Sequence, residues 1–315
     1  MKKLFAALAL FAALSTAACA AYPTKPVRLI VPFAAGGAAD MTARLSSKVA
    51  EKYLGQPIVI ENRAGGGGVT GTQAGASAAA DGYTLTLFVP GGILNTYLKK
   101  VNYTVDSFAP VVQIVQEFDV IAAHKDRFAD LAALKAYAAA NPGAVKIGVS
   151  GALIYDHLEA LIVAKAMGVE LKPVPFNGSA PAIAAFLGKH VDLCSVSFAE
   201  LDQQARAGDV AFLCVLAEER FPDHPDVPTA KELGYNVVMG PWRGIVAPKG
   251  TPEEVLDTIA DAYVKAFNDP EFKANFEKAG LPTDSWLPRA EYTRVIKEQA
   301  EALKEVVKEA TADKK

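Results

Sequence analysis

Hydrophobic runs and amphipathic segments alternate along most of this 315-residue chain. Short β-rich runs, among them Pro26–Phe33, Pro57–Glu61 and Tyr83–Val89, end at glycine-containing turns, as buried strands commonly do. Between them apolar residues recur at helical spacing, as in Met41–Tyr53. This alternation predicts an α/β fold in which mostly parallel sheets are flanked by helices.

A second block of alternating elements begins near residue 111 and is long enough to form its own sheet. We predict strands at 111–116, 120–123, 145–149, 171–175, 191–195 and 211–216, and helices at 131–141, 157–167, 180–187 and 201–207. The tail is helical at 252–268 and 291–309. No flexible linker separates the blocks, which predicts two domains, 22–121 with 241–315 and 122–240. We expect hinges near Asp119–Ala123 and Met239–Gly244.

The first 21 residues have the pattern of a signal peptide. A basic start precedes the apolar run Leu4–Leu14, and the small residues Ser15–Ala21 suit cleavage. Lipidation at Cys19 is the less favoured alternative, because Thr16 stands where a large aliphatic residue is usual. Residues 1–21 therefore predict export to the periplasm.

Two further cysteines, Cys194 and Cys214, lie in apolar, strand-like runs. An oxidising periplasm allows a disulfide between them, and two buried free thiols are the alternative. Spacing in the sequence does not decide between these states, because a disulfide needs a specific geometry.

The composition excludes several classes of function. The chain is 51% hydrophobic and 21% charged with a net charge of −3, and its Lys and Arg form no cluster, so nucleic acid is not an expected partner.

Gly66, Gly68 and Gly71 match the spacing of a dinucleotide fingerprint, but no acidic residue follows where the ribose would need one. We interpret them as a helix-start turn and expect no cofactor. Metal-binding motifs are absent from the sequence, so we expect no metal.

One segment, Gly148–Ala152, is similar to a nucleophile elbow around Ser150. It lacks the final glycine of that motif, and histidines 124, 157, 190 and 224 have no spacing that implies a catalytic role. A periplasmic serine hydrolase remains an alternative function, and a stand-alone ligand sensor is another. The favoured interpretation is a binding protein without catalysis.

The loop Phe33–Asp40 carries the most informative local chemistry. It joins the first predicted strand to the first helix, and its small residues allow a ligand to approach backbone N–H groups at a helix start. Such a site favours an anion. The loop Ser150–Ala152 has the same position in the second block, so two helix-start loops are expected to face one ligand. A tight turn without a ligand is the alternative for each loop.

Several motifs in order along the chain resemble one known family. They are Ala21–Arg28, Val31–Asp40, Gly55–Gly65, Asp81–Leu85, Phe176–Ala182, Gly188–Asp192, Pro225–Thr229 and Ala247–Pro252. Together they look like the Bug (TctC-like) substrate-binding proteins of tripartite tricarboxylate transporters. The resemblance covers nearly the whole chain after the predicted leader.

The resemblance implies a two-domain clamshell of the Venus-flytrap type that closes on a small carboxylate. It also implies delivery of that ligand to a two-subunit membrane permease, by a protein we expect to be a monomer. The ligand-binding residues that it implies are Phe33, Ala34, Ala35, Gly36, Gly37, Ala38, Ala39, Asp40, Gly91, Ser150, Gly151, Ala152, Leu153, Ile154, Phe176, Asn177, Ser197 and Phe198.

Two segments depart from the family pattern. Ala152–Asp156 replaces a segment that is commonly rich in hydroxyl residues before His157, and Pro90–Gly92 stands where small hydroxyl residues are frequent. These departures predict a less polar distal pocket, which favours an aromatic, branched or monocarboxylic ligand over citrate. Arg243 has two interpretations, a counter-charge for the ligand or a structural role near the hinge.

Overall fold

A computed structural model describes residues 22–151, 154–176, 179–221 and 224–312, and the leader predicted at 1–21 lies outside these ranges. The described residues form two five-stranded sheets, each flanked by helices. We call the halves built on these sheets the first lobe and the second lobe. This architecture confirms the predicted α/β class.

The first lobe is assembled from both ends of the chain. Its strands are β1 (Val27–Val31), β2 (Ile58–Asn62), β3 (Thr84–Phe88), β4 (Phe108–Gln116) and β10 (Trp242–Pro248). Its helices are α1 (Ala38–Leu54), α2 (Val69–Ala76), α3 (Pro90–Leu98), α8 (Glu253–Phe267), α9 (Pro270–Lys278) and α10 (Arg289–Ala312), with a short 3-10 turn at Val105–Ser107. The strand order is β2-β1-β3-β10-β4, so the late strand β10 lies inside the sheet.

The second lobe is built from one continuous stretch. Its strands are β5 (Asp119–His124), β6 (Lys146–Val149), β7 (Lys172–Pro175), β8 (Leu193–Ser197) and β9 (Val210–Val215). Its helices are α4 (Leu131–Ala140), α5 (Tyr155–Met167), α6 (Ser179–Leu187) and α7 (Phe198–Ala207). The strand order is β7-β6-β8-β5-β9, which has the same form as that of the first lobe.

Each sheet contains one strand that runs against the other four. In the first sheet β10 is antiparallel to both of its neighbours, β3 and β4, and in the second sheet β5 is antiparallel to β8 and β9. The reversed strands are the ones that enter from the other lobe. Both therefore start at the sheet edge where the parallel strands end, and both chain crossings lie at that edge.

The crossings differ from the predicted hinges at one point. A hinge is predicted near Asp119–Ala123, and these residues themselves pair with β8 and β9 inside the second sheet. The chain crosses just before them, at Glu117 and Phe118. A domain boundary after residue 121 would divide β5. The returning segment reaches Trp242, within the predicted second hinge.

Three elements were not predicted from the sequence. Helix α3 starts with Pro90-Gly91-Gly92, a segment that we assigned to no element, and α9 has a polar surface interrupted by buried Phe272 and Phe276. Strand β10 is buried along its whole length, so it lacks the alternating pattern of a half-exposed strand. Gly244 within β10 allows close packing, because a Cβ there would lie 2.3 Å from a ring atom of Tyr292.

The two cysteines of the second lobe are free and buried, as one of the two alternatives predicted. Cys194 pairs with Ala122 and Cys214 with Ile121, which are successive residues of β5. Because successive strand residues point to opposite faces, the thiols lie on opposite sides of the sheet. Burial raises the pKa of Cys214 to about 12 and also raises that of Cys194. None of the described helices combines the length and hydropathy needed to cross a membrane.

Candidate ligand-binding cleft

Three helices of the first lobe start at one edge of its sheet. Parallel neighbours β2, β1 and β3 are followed directly by α2, α1 and α3, so the three helix N-termini converge there. Their N-cap residues, Gly68, Gly37 and Val89, make no side-chain capping hydrogen bond. The first N–H groups of a helix have no partner within it, and together with the helix dipole they attract an anion. The three helix starts make this edge a candidate anion-binding surface.

The predicted first loop reaches this edge with its small residues exposed. Ala34, Ala35, Gly36, Gly37 and Ala38 are all exposed, while the flanking residues Phe33 and Ala39 are half-buried. No bulky side chain therefore stands between solvent and the first turn of α1. A backbone-lined anion site needs an exposed first turn of this kind, and binding of an anion here stays a prediction.

Asp40 differs from the rest of the predicted loop, because it is buried and its carboxylate is already occupied. Oδ2 accepts hydrogen bonds from Gly36 N at 2.8 Å and Arg44 Nε at 2.9 Å, and Oδ1 accepts from Asn62 Nδ2 at 2.9 Å. Burial alone would raise the pKa of Asp40, but these donors outweigh it and lower the pKa. Asp40 therefore stabilises the conformation of the loop from its buried side.

Two partners of this loop were missed by the sequence analysis. Asn62, the last residue of β2, also donates to Phe33 O at 3.1 Å, and Arg44 Nη2 donates to Asn62 Oδ1 at 3.0 Å. Their only signal in the sequence is position, since Asn62 ends a strand and Arg44 lies one helical turn after Asp40.

The glycine-rich segment at 65–68 forms the start of α2, as predicted for a helix-start turn. All four glycines have positive φ, a backbone that other residues adopt only with strain. Helix α3 holds the segment: Asn95 Nδ2 donates to Gly67 O at 3.0 Å and Lys99 Nζ donates to Gly66 O at 2.9 Å. Gly91 lies in the first turn of α3, at the same sheet edge.

The second lobe has a matching edge. Neighbouring parallel strands β7, β6 and β8 end at Pro175, Val149 and Ser197, so the candidate residues that follow them are brought together. Ser150, Gly151, Ile154, Phe176 and Phe198 are all half-buried at or after these ends. The candidates Ala152, Leu153 and Asn177 lie outside the described residues.

Acidic side chains organise the second edge. Ser150 N donates to Asp156 Oδ2 at 2.6 Å, in the first turn of α5, much as Gly36 N donates to Asp40. Ser197 and Glu200 form a capping box at the start of α7. Burial raises the pKa of Asp156 and of Glu200, although hydrogen bonds from Ser150 and Ser179 oppose this.

Helix α5 connects this edge to the first lobe. The hydroxyl of Tyr155 accepts hydrogen bonds from Gly240 N at 3.1 Å and from Gln299 Nε2, on α10, at 3.4 Å. Tyr155 and Leu158 also pack in one apolar cluster with Trp242 of the first sheet. The start of α5 therefore lies against the first lobe, beside the returning crossing.

Arg243 is buried at the crossings and pairs with the carboxylate of Glu117, which is also buried. Burial lowers the pKa of Arg243 to about 10. Of its two predicted interpretations, the structural role near the hinge is confirmed, since the guanidinium already has its counter-charge.

The other polar groups give little support to catalysis or metal binding. His124 Nε2 lies 2.6 Å from Phe186 O, and His224 Nε2 lies 2.6 Å from Asp202 Oδ1, so both rings are engaged away from Ser150. Within the described ranges no three His, Cys, Asp or Glu side chains group in a way that would hold a metal ion. A surface groove of about 640 Å³ between the end of α3 and α10 lies away from the strand ends.

Residues 42–311 match the model of the tripartite tricarboxylate transporter family receptor, TctC. The chain belongs to this family. BugT from Bordetella pertussis is 34% identical over 268 residues, which cover 81% of this chain and 82% of BugT. The resemblance drawn from the sequence motifs is thereby confirmed.

Solved structures agree with this membership. A TctC solute-binding protein from Polaromonas has a TM-score of 0.81 at 25% identity, covering 91% of this chain and 99% of its own. MatC from Rhodopseudomonas palustris with bound malate has a TM-score of 0.77 at 29% identity, covering 91% of this chain and 100% of its own. The periplasmic binding protein BugD has a TM-score of 0.75 at 32% identity, covering 92% and 98%. This chain is a TctC-family solute-binding protein with the two-lobed clamshell fold.

Proposed function

We propose that this protein captures a small carboxylate between its lobes and delivers it to a two-subunit membrane permease. The observation that carries the proposal is the convergence of three helix N-termini without side-chain caps at one edge of the first sheet. Thr70 N is already bonded to Gly65 O and Gly92 N to Val89 O, so the donors that we propose to hold one carboxylate without an arginine are mainly those in the first turn of α1. A second Rhodopseudomonas palustris structure, with adipate and a TM-score of 0.77, adds to the malate complex as support.

Binding is proposed to close the lobes around the crossings, where Glu117, Arg243 and Gly240 lie. A ligand that contacts both sheet edges stabilises the closed form by its additional contacts with that form. The function proposed is binding without turnover, by a monomer that uses no cofactor or metal. We further propose that residues 1–21 direct export to the periplasm, where the ligand is met.

The distal end of the ligand is proposed to be uncharged. Asp156 and Glu200 lie at the second edge, where a second ligand carboxylate would be repelled, and Ile154 adds apolar surface. These side chains favour an aromatic, branched or other monocarboxylic ligand over citrate. The candidate residues are those of the predicted cleft, with Asp40 acting behind the loop.

A thermal-shift screen tests this proposal, because a ligand that binds only the folded state raises the melting temperature. The panel contains citrate, succinate, amino acids, malate, adipate and benzoate-like acids. We expect stabilisation by monocarboxylates and little by citrate. If citrate bound tightly and aromatic and aliphatic monocarboxylates gave no shift, the apolar distal pocket would be rejected. If no carboxylate shifted the melting temperature, carboxylate capture would be rejected.

A matched pair of variants locates the site. Ala38→Pro removes one N–H at the first position of α1, where proline is tolerated, and Gly37 before it is already extended at φ −82° and ψ 171°. We expect an unchanged ligand-free melting temperature and an affinity about 10- to 150-fold weaker, since a hydrogen bond to a charged group contributes about 1.5–3 kcal/mol. Glu253→Pro, at the first position of α8, is the control that should leave affinity unchanged.

A further inference from the structure

Two carboxyl groups are buried together in the second lobe, next to the chain crossings. Asp119, the first residue of β5, is 3% exposed, and Glu159, one helical turn beyond Tyr155 on α5, is fully buried. Glu159 is bonded by Ser195 and Asp119 by Ser197, and because these serines lie two residues apart on β8 they hold the two carboxyls on the same face of the sheet. Neither residue was singled out by the sequence pattern.

The donors of the described residues around the pair leave one buried carboxyl oxygen without a hydrogen bond. Ser195 Oγ donates to Glu159 Oε1 at 2.5 Å, and Ser197 Oγ donates to Asp119 Oδ1 at 3.2 Å. Glu159 Oε2 has no donor among the N–H and O–H groups of the described residues. An ionised carboxylate only accepts hydrogen bonds, so two ionised groups in contact would repel each other. One proton between them satisfies Oε2 and removes the repulsion.

The surroundings favour keeping that proton. Tyr155 and Asp156 on α5 face the pair, and His157 lies beside Asp156. Glu200 faces the pair from α7. The thiols of Cys194 on β8 and Cys214 on β9 complete the surroundings. Burial is the largest cause that raises the pKa of both carboxyls, and the neighbouring acids add to it.

The pair is connected to the cleft and to both crossings. Asp119 N donates to Met239 O at 3.3 Å, and Leu216 N donates to Asp119 O at 2.9 Å, so its backbone holds the returning segment. Its carboxyl holds Ser197, which caps α7 at the second edge. Glu159 lies on the helix whose start carries the second cleft loop.

We propose that Asp119 and Glu159 share one proton at neutral pH and act as a positioning pair for the second-lobe wall of the cleft. Loss of the proton forces two like charges together between α5 and β5. The wall then loosens, and negative charge is added near the bound anion, so affinity falls. This last consequence rests on the proposed carboxylate function, whereas the shared proton does not.

Infrared spectroscopy of the ligand-free protein tests the proton directly. A protonated buried carboxyl has its own C=O stretching band, which we expect in the wild type at neutral pH. Glu159→Gln should abolish that band and still fold, because glutamine has the shape of the neutral acid and donates to Asp119 in its place. Glu277→Gln, at an exposed position of α9, is the control that should leave the band unchanged. A wild type without the band, or a band that Glu159→Gln leaves intact, would overturn the proposal.

The pH dependence of unfolding gives a second readout. Above the usual carboxyl pKa the unfolded chain has released this proton while the folded protein keeps it, so stability falls as pH rises. The unfolding equilibrium constant should increase by up to tenfold per pH unit from about pH 5 up to the raised folded-state titration of the pair. Glu159→Gln should flatten this slope and Glu277→Gln should not. Equal slopes in all three proteins would reject the shared proton.

Calorimetric titration with benzoate, malate and adipate completes the test. For each of these acids that the wild type binds, the affinity should fall as pH rises through the same range, and Glu159→Gln should remove that dependence. An affinity whose pH dependence survives Glu159→Gln would contradict the positioning role. If no acid of the carboxylate panel binds, the proposed function fails, while the infrared and unfolding results still show whether the pair shares a proton.

Discussion

Glu117 and Arg243 form a buried ion pair between the two chain segments that cross from lobe to lobe. Glu117 follows β4 and Arg243 is the second residue of β10, so the pair links the outgoing crossing to the returning one. Removing one partner leaves the other charge buried and unpaired, which usually costs about 3–5 kcal/mol.

We therefore expect Arg243→Met to lower the free energy of unfolding by about 3–5 kcal/mol in urea denaturation. The double change Glu117→Leu with Arg243→Met should recover much of this loss, because no buried charge remains. Lys189→Ala breaks an exposed pair with Asp126 and should change stability by less than about 1 kcal/mol. A single Arg243→Met variant as stable as the wild type would contradict the structural role.

Asp40→Asn tests the support behind the first loop. Asparagine keeps the size of the side chain but loses the charge that holds Arg44 and the Gly36 N–H, so we expect a loss of about 1–3 kcal/mol in unfolding free energy and weaker ligand binding. Because the pKa of Asp40 is lowered on folding, its contribution is present above the usual aspartate pKa of about 4. It is lost as pH falls below that value, so wild type and variant should converge in acid unfolding experiments. A difference that persists below about pH 2 would contradict this account.

Gly240 is placed where a side chain has no room. A Cβ there would lie 2.2 Å from Glu117 O, a backbone atom of the other crossing. We expect Gly240→Ala to destabilise the protein by about 1–3 kcal/mol and to change affinity, since the crossings must separate. In Gly91→Ala the nearest heavy atom is 3.9 Å away, and this helical site should be neutral or slightly stabilised. Melting curves of the two variants make the comparison.

The two cysteine thiols should not react with a thiol reagent in the native protein. The measurement uses the protein that starts at Tyr22. Its two cysteines, Cys194 and Cys214, are buried and their thiol pKa values are raised, so a thiol reagent should label neither until the protein unfolds. In denaturant without reductant both should react. If both cysteines remained unlabelled in denaturant, they would be joined in a disulfide. That result would contradict the structure, in which the two thiols lie on opposite faces of the sheet.

Much of the fold could be predicted because the strands end at glycine-rich turns and the helices are amphipathic. The first loop was found by the same reasoning, since small residues between a strand and a helix are visible in the sequence. Asn62, Asp119 and Glu159 could not be found that way, because their roles depend on partners 22 to 78 positions away. Strand β10 was missed because burial on both faces removes the alternating pattern, and its two neighbours lie far back in the chain.

The place of β10 has a consequence for the order in which the protein can fold. All strands of the second lobe lie between residues 119 and 215, so its sheet can close while the C-terminal quarter is still absent. The first sheet cannot, because β3 and β4 have no partner between them until Trp242–Pro248 arrives. A chain truncated before residue 242 would therefore retain one lobe able to fold and one with two open strand edges, which are prone to aggregate. The first lobe can therefore be completed only after the second lobe, once the chain from Trp242 onward is present.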